Sequence, residues 1–175
     1  MTTRGRSLLA GLILSGAVVA ALIVFAINRD SGTAASPAGD SSPVTNRGFE
    51  SESGPLSLTS LRGQPVALAF VQAGCGSCAA SLKAFSNIAA KMPDAHFVAL
   101  NMPGGGSAAA LADFTDSLGA TGITSAAYSS NDISKQFDIT SLDTILVLDA
   151  DGKIVWRAVR PTQADIEQAL QAASA

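Results

Sequence analysis

The sequence predicts an α/β domain with a central mixed β-sheet flanked by helices, preceded by one transmembrane helix and a flexible linker. Three observations support this. An uncharged apolar stretch lies near the N-terminus, residues 66–71 have the composition of a buried central strand, and an amphipathic helical pattern begins at Cys78. The net charge of −3 and the lack of a Lys and Arg cluster argue against nucleic-acid binding.

Residues 1–28 are predicted to be a membrane anchor. Residues 8–27 contain no charge, and a stretch of about twenty apolar residues is long enough to cross a bilayer. Arg4 and Arg6 precede this stretch and only Arg29 follows closely, so the positive-inside rule places the domain on the extracytoplasmic side. A cleaved signal peptide is the alternative, but its apolar region would be shorter. We therefore expect a single-pass anchor in the cell membrane.

Residues 29–54 are predicted to be a flexible linker. They are rich in Ser, Gly, Pro, Ala and Asp and have almost no large apolar side chains. Such a segment buries too little surface to offset the entropy lost on ordering. The globular domain is accordingly predicted at residues 55–175.

Within that domain the sequence predicts the order β-α-β-α-short α-β-β-α. Strand 66–71, a helix that starts at Cys78 and stops before Pro93, and a strand at 95–102 form a βαβ unit with parallel strands. Glycines 104–106 follow. We interpret them as a turn, because a phosphate site would need a following Lys or a spaced glycine pattern.

The remaining elements are predicted from caps and turns. Ser107 caps a helix that ends before Gly119, and residues 131–139 form a short helix. Residues 144–159 match two strands joined by an Ala-Asp-Gly turn. Thr162 and a carboxylate three residues later form a capping box ahead of the last helix.

The two cysteines, Cys75 and Cys78, allow three interpretations. A purely structural disulfide would close a very small loop and stabilise little. A structural zinc site needs four ligands, and the chain offers only His96 besides the pair, itself expected at the surface. A redox pair fits best, because Cys75 lies where a strand ends and a helix begins, which favours its thiolate. Cys78, one turn later, can resolve a mixed disulfide.

A family resemblance extends this interpretation. The segment GPLSLTSLRGQPVALAFVQAGCGSC resembles the start of a thioredoxin-like domain of the TlpA/ResA branch, membrane-anchored thiol-disulfide oxidoreductases of the bacterial envelope. The segment ISKQFDITSLDTILVLDADGKIVWRAV is similar to that family's closing hairpin. The resemblance implies a thioredoxin fold over residues 54–175, with Cys75 attacking and Cys78 resolving. Its implied partners are envelope proteins bearing thiols or disulfides and an unidentified electron donor or acceptor, and no cofactor or metal is expected.

Two positions depart from the family's pattern. Gly74 stands where the family has Trp, and Asp143 stands where it has a cis-proline facing the cysteines. We assign both to an altered substrate groove. If it is close, the Asp143 carboxylate would oppose a thiolate at Cys75. It could instead be a third metal ligand, although Asp suits Cu(I) poorly, or it could cap the turn.

Alternative functions remain open. A metal-binding or metallochaperone domain that uses the cysteine pair is the main alternative to the oxidoreductase. A peroxidase of the peroxiredoxin type ranks lower, because Gln72 stands where that class has Thr. Ala69 replaces the buried acid that thioredoxins carry near the end of the central strand, so no proton acceptor is evident behind Cys78.

Overall fold

The structure is a computed structural model that describes residues 48–128 and 132–174. The predicted membrane anchor and residues 29–47 of the predicted linker lie outside the described residues. Among the helices that the structure describes, none is long and apolar enough to cross a membrane.

The described residues form a seven-stranded mixed sheet in the order β2-β1-β5-β4-β3-β6-β7. The strands are β1 (Gly48–Ser51), β2 (Gly54–Ser57), β3 (Val66–Val71), β4 (His96–Asn101), β5 (Thr124–Ala127), β6 (Thr144–Leu148) and β7 (Ile154–Val159). The helices are α1 (Cys78–Ala89), α2 (Ala108–Ser117), α3 (Asp132–Gln136) and α4 (Gln163–Ala173), with a 3-10 helix at Leu58–Leu61. The predicted mixed α/β sheet with flanking helices is confirmed.

Strand β3, which leads into the cysteine loop, is an interior strand of the sheet. It pairs in parallel with β4 and antiparallel with β6, and all six of its residues are buried. Ala67, Ala69 and Val71 belong to one apolar cluster with α1 and α4, whereas the alternate side chains belong to a second cluster with the 3-10 helix and Phe137. A strand covered on both faces needs apolar residues at every position, as this one has.

Helix α1 follows β3 after six residues and packs against the sheet through one apolar stripe. Leu82, Phe85 and Ile88, spaced by three residues, are fully buried, as is Cys78. Burial of each such large side chain contributes about 1.5–3 kcal/mol. The stripe therefore fixes the N-terminal end of α1, where the cysteines lie, against the sheet.

Helix α4 begins with the predicted capping box and contacts the end of α1. The Thr162 N–H donates to Asp165 Oδ2 at 2.9 Å, and the Asp165 N–H donates to Thr162 Oγ1 at 3.3 Å. The Lys91 ammonium lies 3.0 Å from Glu167. Hydrogen bonds from Gln163 and then Lys91 hold the pKa of Glu167 below its ordinary value. The contribution of these contacts is present at neutral pH and is lost as the pH falls through that lowered pKa.

The structure contains strands that the sequence did not predict, and one of them corrects the linker boundary. Strand β1 lies in the last residues of the range predicted as flexible linker, pairing with β2 and β5. Phe49 is only 2% exposed and packs edge to face on Tyr128, with ring centroids 5.7 Å apart. One buried aromatic and a hairpin order a segment whose average composition is that of a linker.

Candidate active site

The two cysteines meet at the junction of β3 and α1. The chain turns after Val71, where the Cys75 N–H donates to the Gln72 carbonyl at 3.1 Å. A disulfide joins Cys75 to Cys78, with their Cα atoms 5.3 Å apart. Cys75 is partly exposed, whereas Cys78 is completely buried as the first residue of α1. The structure therefore brings the predicted pair together and makes one of its sulfurs accessible.

Two donors surround the Cys75 sulfur. The Cys78 backbone N–H donates to Cys75 Sγ at 3.3 Å, and the Ser77 hydroxyl lies 3.3 Å from the same atom. In the reduced protein both can donate to a thiolate, which the positive N-terminal end of α1 also favours. These contacts agree with the predicted attacking role of Cys75, and the assignment of Cys75 as attacking and Cys78 as resolving cysteine stays a prediction.

Asn101 is a positioning residue that the sequence analysis missed. It ends β4 directly beside the end of β3, paired with Val71 in the register of the sheet, and is 2% exposed. Its Oδ1 accepts from the Ala73 N–H at 3.1 Å, and its Nδ2 donates to the carbonyls of Gly105 at 2.8 Å and Ser107 at 2.9 Å. One amide thus ties the loop before Cys75 to the loop before α2.

The glycine run packs around this amide. A Cβ at Gly105 would overlap the Asn101 side chain, and one at Gly104 would lie 2.9 Å from Gln72 Nε2. The Gln72 amide in turn donates to the Pro103 carbonyl at 2.9 Å. Gly104 and Gly105 therefore let one loop close against the other, in agreement with the interpretation of the glycine run as a turn.

Asp143 lies beside the disulfide. One of its carboxylate oxygens and the two cysteine sulfurs are all within 4.8 Å of one another. The residue is 1% exposed, and its Oδ1 has no hydrogen-bond partner in the described part of the chain. Asp143 is therefore close to the cysteines, as the family resemblance led us to consider, and Oδ1 does not act as a turn cap.

The backbone at Asp143 could not accommodate the family's proline. Its φ is +61°, whereas proline is restricted to about −65°. Its N–H donates to the Phe70 carbonyl at 2.9 Å, and its carbonyl accepts from the Arg160 N–H at 2.8 Å. A proline has no N–H to donate to Phe70, and it cannot adopt the positive φ at which the carbonyl accepts from Arg160. The chain therefore departs from the family's pattern here in backbone conformation as well as in side chain.

Gly74, the other departure from the family, is exposed and has a φ of +80°. Nothing lies within 4 Å of where its Cβ would be, so conformation rather than space favours glycine. The assignment of Gly74 and Asp143 to a substrate groove stays a prediction.

Cavities lie on two sides of the cysteine loop. One, of about 300 Å³, is next to the start of α1 and is lined by Ser77, Ala80, Ser81, Ala84, Arg160, Pro161, Thr162 and Gln163. Another, of about 370 Å³, lies on the Gln72 side and is lined by Gln72, Met102, Pro103, Ser134, Ile139, Thr140, Ser141 and Leu142. The first cavity includes Ser77, and the second includes Gln72, so each is adjacent to one end of the cysteine loop.

Comparison with known families decides the classification. Residues 37–172 match the model of the Redoxin family. The chain belongs to the Redoxin family. The predicted membership of the thioredoxin-like superfamily is confirmed, and together with the cysteine pair it supports thiol-disulfide oxidoreductase activity.

Individual relatives of this Redoxin chain are distant. The Streptomyces lividans protein named mercury resistance operon ORF3 is 28% identical over 116 residues, which cover 64% of this chain and 61% of that protein. The chain thus spans about three fifths of the length of that relative.

Solved structures share the fold. A Chlorobium tepidum protein assigned as thiol:disulfide interchange protein DsbE is 22% identical with a TM-score of 0.66, covering 76% of this chain and 96% of that one. A SCO1/SenC family lipoprotein from Bacillus anthracis is 17% identical with a TM-score of 0.62, covering 75% and 95%. At these identities the likeness concerns the fold alone.

Asn101→Ala tests the positioning role of the amide. The change removes three hydrogen bonds at a buried position, so the free energy of unfolding should fall by about 2–4 kcal/mol. Urea denaturation of the full chain in detergent, followed by the fluorescence of its one tryptophan, Trp156, measures this. Asn87→Ala is the matched control: Asn87 is exposed, and its loss should change stability by less than about 0.5 kcal/mol. Equal effects of the two variants would contradict the assigned role.

Gly74→Ala and Gly76→Ala should have effects of opposite sign. Alanine at the φ of +80° of Gly74 should destabilise the protein by about 1–2 kcal/mol. Gly76 has no positive φ and open space around it, so alanine there should stabilise by about 0.4–1 kcal/mol through the unfolded state. The same denaturation assay measures both, and a Gly74→Ala variant as stable as Gly76→Ala would refute the conformational explanation.

Proposed function

We propose that this chain is an extracytoplasmic thiol-disulfide oxidoreductase, held in the cell membrane by residues 8–27, that exchanges disulfides with envelope proteins. The observation that supports this most directly is the pairing of a partly exposed Cys75 with a fully buried Cys78 at the start of α1. The apolar N-terminal stretch and its flanking arginines support the location.

The first step is attack by the Cys75 thiolate on one sulfur of a substrate disulfide. A bond forms between Cys75 Sγ and that sulfur, the substrate S–S bond breaks, and the other substrate sulfur leaves as a thiolate that takes up a proton from solvent. The N–H of Cys78 and the hydroxyl of Ser77 stabilise the attacking charge. Only Cys75 can begin the reaction, because Cys78 is buried beneath it.

The second step releases the substrate. The Cys78 thiolate attacks Cys75 Sγ, the Cys75–Cys78 disulfide forms, and the bond to the substrate breaks to give its second thiol. Two electrons have then passed from the pair to the substrate. An external dithiol must reduce the Cys75–Cys78 disulfide before another turnover, and that donor is the second class of partner.

The carboxylate beside the sulfurs favours the reducing direction. An ionised Asp143 within 4.8 Å of both sulfurs opposes the thiolates of the reduced pair but not the uncharged disulfide. Oxidants of this fold owe their potential to a stabilised reduced form, and here the reduced form is opposed. The proposed direction is therefore reduction of client disulfides. The same carboxylate also slows attack by Cys75, because it opposes formation of the thiolate.

The alternative function is metal binding through the same pair. The cluster of Cys75, Cys78 and Asp143 favours it, and a SCO1/SenC lipoprotein shares the fold. The Streptomyces lividans relative is named after a mercury resistance operon, which also points toward metal chemistry. Negligible exchange by a protein that holds metal tightly would favour this alternative.

Cys78→Ser should trap clients. The variant keeps the attacking sulfur but cannot resolve the adduct, so cells expressing it should accumulate mixed disulfides with envelope proteins. Non-reducing electrophoresis should show bands that a reductant collapses, and Cys75→Ser should show none of them. If the Cys78→Ser protein is present at wild-type level and traps nothing, the proposed exchange is refuted.

The proposed location can be measured with the same variant. In Cys78→Ser, Cys75 is the one remaining thiol and is partly exposed, so once a reductant has cleaved its mixed disulfides and been removed, a membrane-impermeant maleimide should label it in unlysed spheroplasts. The protein should stay with the membrane after a carbonate wash and leave it when residues 8–27 are deleted. Labelling that requires lysis, while a cytoplasmic thiol protein behaves as expected, would place the domain on the other side.

A further inference from the structure

We propose that the reduced cysteine pair and Asp143 form a redox-gated binding site for Zn(II). The inference rests on the proposed function only in requiring that Cys75 and Cys78 alternate between dithiol and disulfide. It adds a ligand and a regulatory state that the exchange reaction itself does not need.

The geometry brings three donor atoms to one point. The two sulfurs and a carboxylate oxygen of Asp143 lie within 4.8 Å of one another. Zinc binds thiolate sulfur at about 2.3 Å and carboxylate oxygen at about 2.0–2.2 Å, so ligands around one tetrahedral ion are about 3.5–3.8 Å apart. Reduction breaks the S–S bond, after which rotation about the Cα–Cβ bonds of the two cysteines can bring the sulfurs to such a separation.

The unpartnered carboxylate is independent support. Asp143 is 1% exposed, and its Oδ1 lacks a hydrogen-bond partner in the described residues. Buried polar atoms are nearly always paired, because burial without a partner costs free energy. No salt bridge in the described part of the chain reaches Asp143. A bound cation would supply the missing partner.

Charge also favours a cation in the reduced state. The disulfide form presents at most the one negative charge of Asp143. Two thiolates would raise this to three within 4.8 Å, at a site where Cys78 and Asp143 are buried. Like charges at such distances repel strongly in a poorly solvated site, and either protons or a divalent cation must reduce that charge. Zinc returns the formal charge of the site to −1.

The donor set selects zinc over other common cations. Cu(I) prefers Cys and Met and gains little from a carboxylate, whereas Mg(II) and Ca(II) prefer oxygen throughout. Zinc accepts both thiolate and carboxylate ligands. Three protein ligands leave a fourth position, and the partly exposed Cys75 provides the side from which water or an incoming ligand reaches it.

Binding and oxidation exclude each other. When Zn(II) binds the dithiol, the two thiols lose two protons to solvent and two Zn–S bonds form. When the pair passes two electrons to a client disulfide, the new S–S bond removes both thiolates and the ion is released. Bound zinc therefore occupies the attacking sulfur and holds the reduced protein inactive until the ion leaves.

The test measures zinc binding by the full chain in detergent, reduced with a phosphine, in competition with a chromophoric chelator. We expect one Zn(II) per reduced chain and none per oxidised chain. Asp143→Asn keeps the size of the side chain and tolerates a positive φ, and its affinity should fall at least about tenfold, since loss of outer-shell support alone commonly costs 10–100-fold. Co(II), as a spectroscopic probe, should show thiolate charge-transfer bands in the wild type.

Asp138→Asn is the matched control. Asp138 also has a positive φ, of +50°, but its side chain is 88% exposed and outside the cluster, so zinc affinity should equal that of the wild type. Equal zinc affinity of the reduced and oxidised chains would overturn the proposal. An Asp143→Asn protein that binds zinc as tightly as the wild type would also overturn it. So would tight Cu(I) binding by Asp143→Asn when neither this variant nor the wild type retains zinc.

A second measurement distinguishes the zinc site from the proposed oxidoreductase function. Exchange with a model disulfide is followed on the same samples with excess chelator and then with added zinc. Exchange that persists while no zinc binds refutes the zinc site and leaves the oxidoreductase in place. Zinc binding without exchange in chelator refutes the oxidoreductase and leaves the zinc site. Exchange that zinc suppresses in the wild type, and suppresses less in Asp143→Asn, is the expected result.

Discussion

Burial of β3 on both faces is the constraint on which the rest of the site depends. The strand lies between β4 and β6 with every residue covered, so its end at Val71 is fixed. The loop that leaves it has only six residues before α1, and the apolar stripe of α1 fixes the other end of that loop. Asn101, at the end of the neighbouring strand, ties the loop in the middle. The positions of the two sulfurs are thus set by the sheet rather than by the disulfide.

Local signals explain which parts of the fold could be predicted from sequence. The all-apolar strand, the three-residue spacing on α1 and the Thr162 capping box depend on residues close together in the chain, and each was predicted. Strands β1, β2 and β5 were missed, because they are four residues long and have few large side chains. Their stability comes from pairing with strands distant in sequence, which composition and periodicity do not report.

The candidate active site likewise contains residues that could be predicted from the sequence and residues that could not. The spacing of Cys75 and Cys78 predicted the redox pair, and family resemblance directed attention to Asp143. Asn101 was missed because its role depends on lying beside Val71 and on the glycine loop closing over it. A weak signal was available, an amide at the end of an apolar strand followed by three glycines. The left-handed backbone conformation at Asp143 had no signal in the sequence, because Asp is compatible with many backbone conformations.

That left-handed backbone limits how this loop can change in evolution. Asp143 and Arg160 both have positive φ, and a hydrogen bond joins their backbones. Asn or Gly could replace Asp143 within this conformation, but proline could not, unless the backbone turned over and gave up its bonds to Phe70 and Arg160. Descendants of this protein can therefore gain or lose the charge beside the cysteines by one substitution. A single substitution to proline, in contrast, would also require a new backbone conformation at this position, so the charge here is easier to change than the backbone.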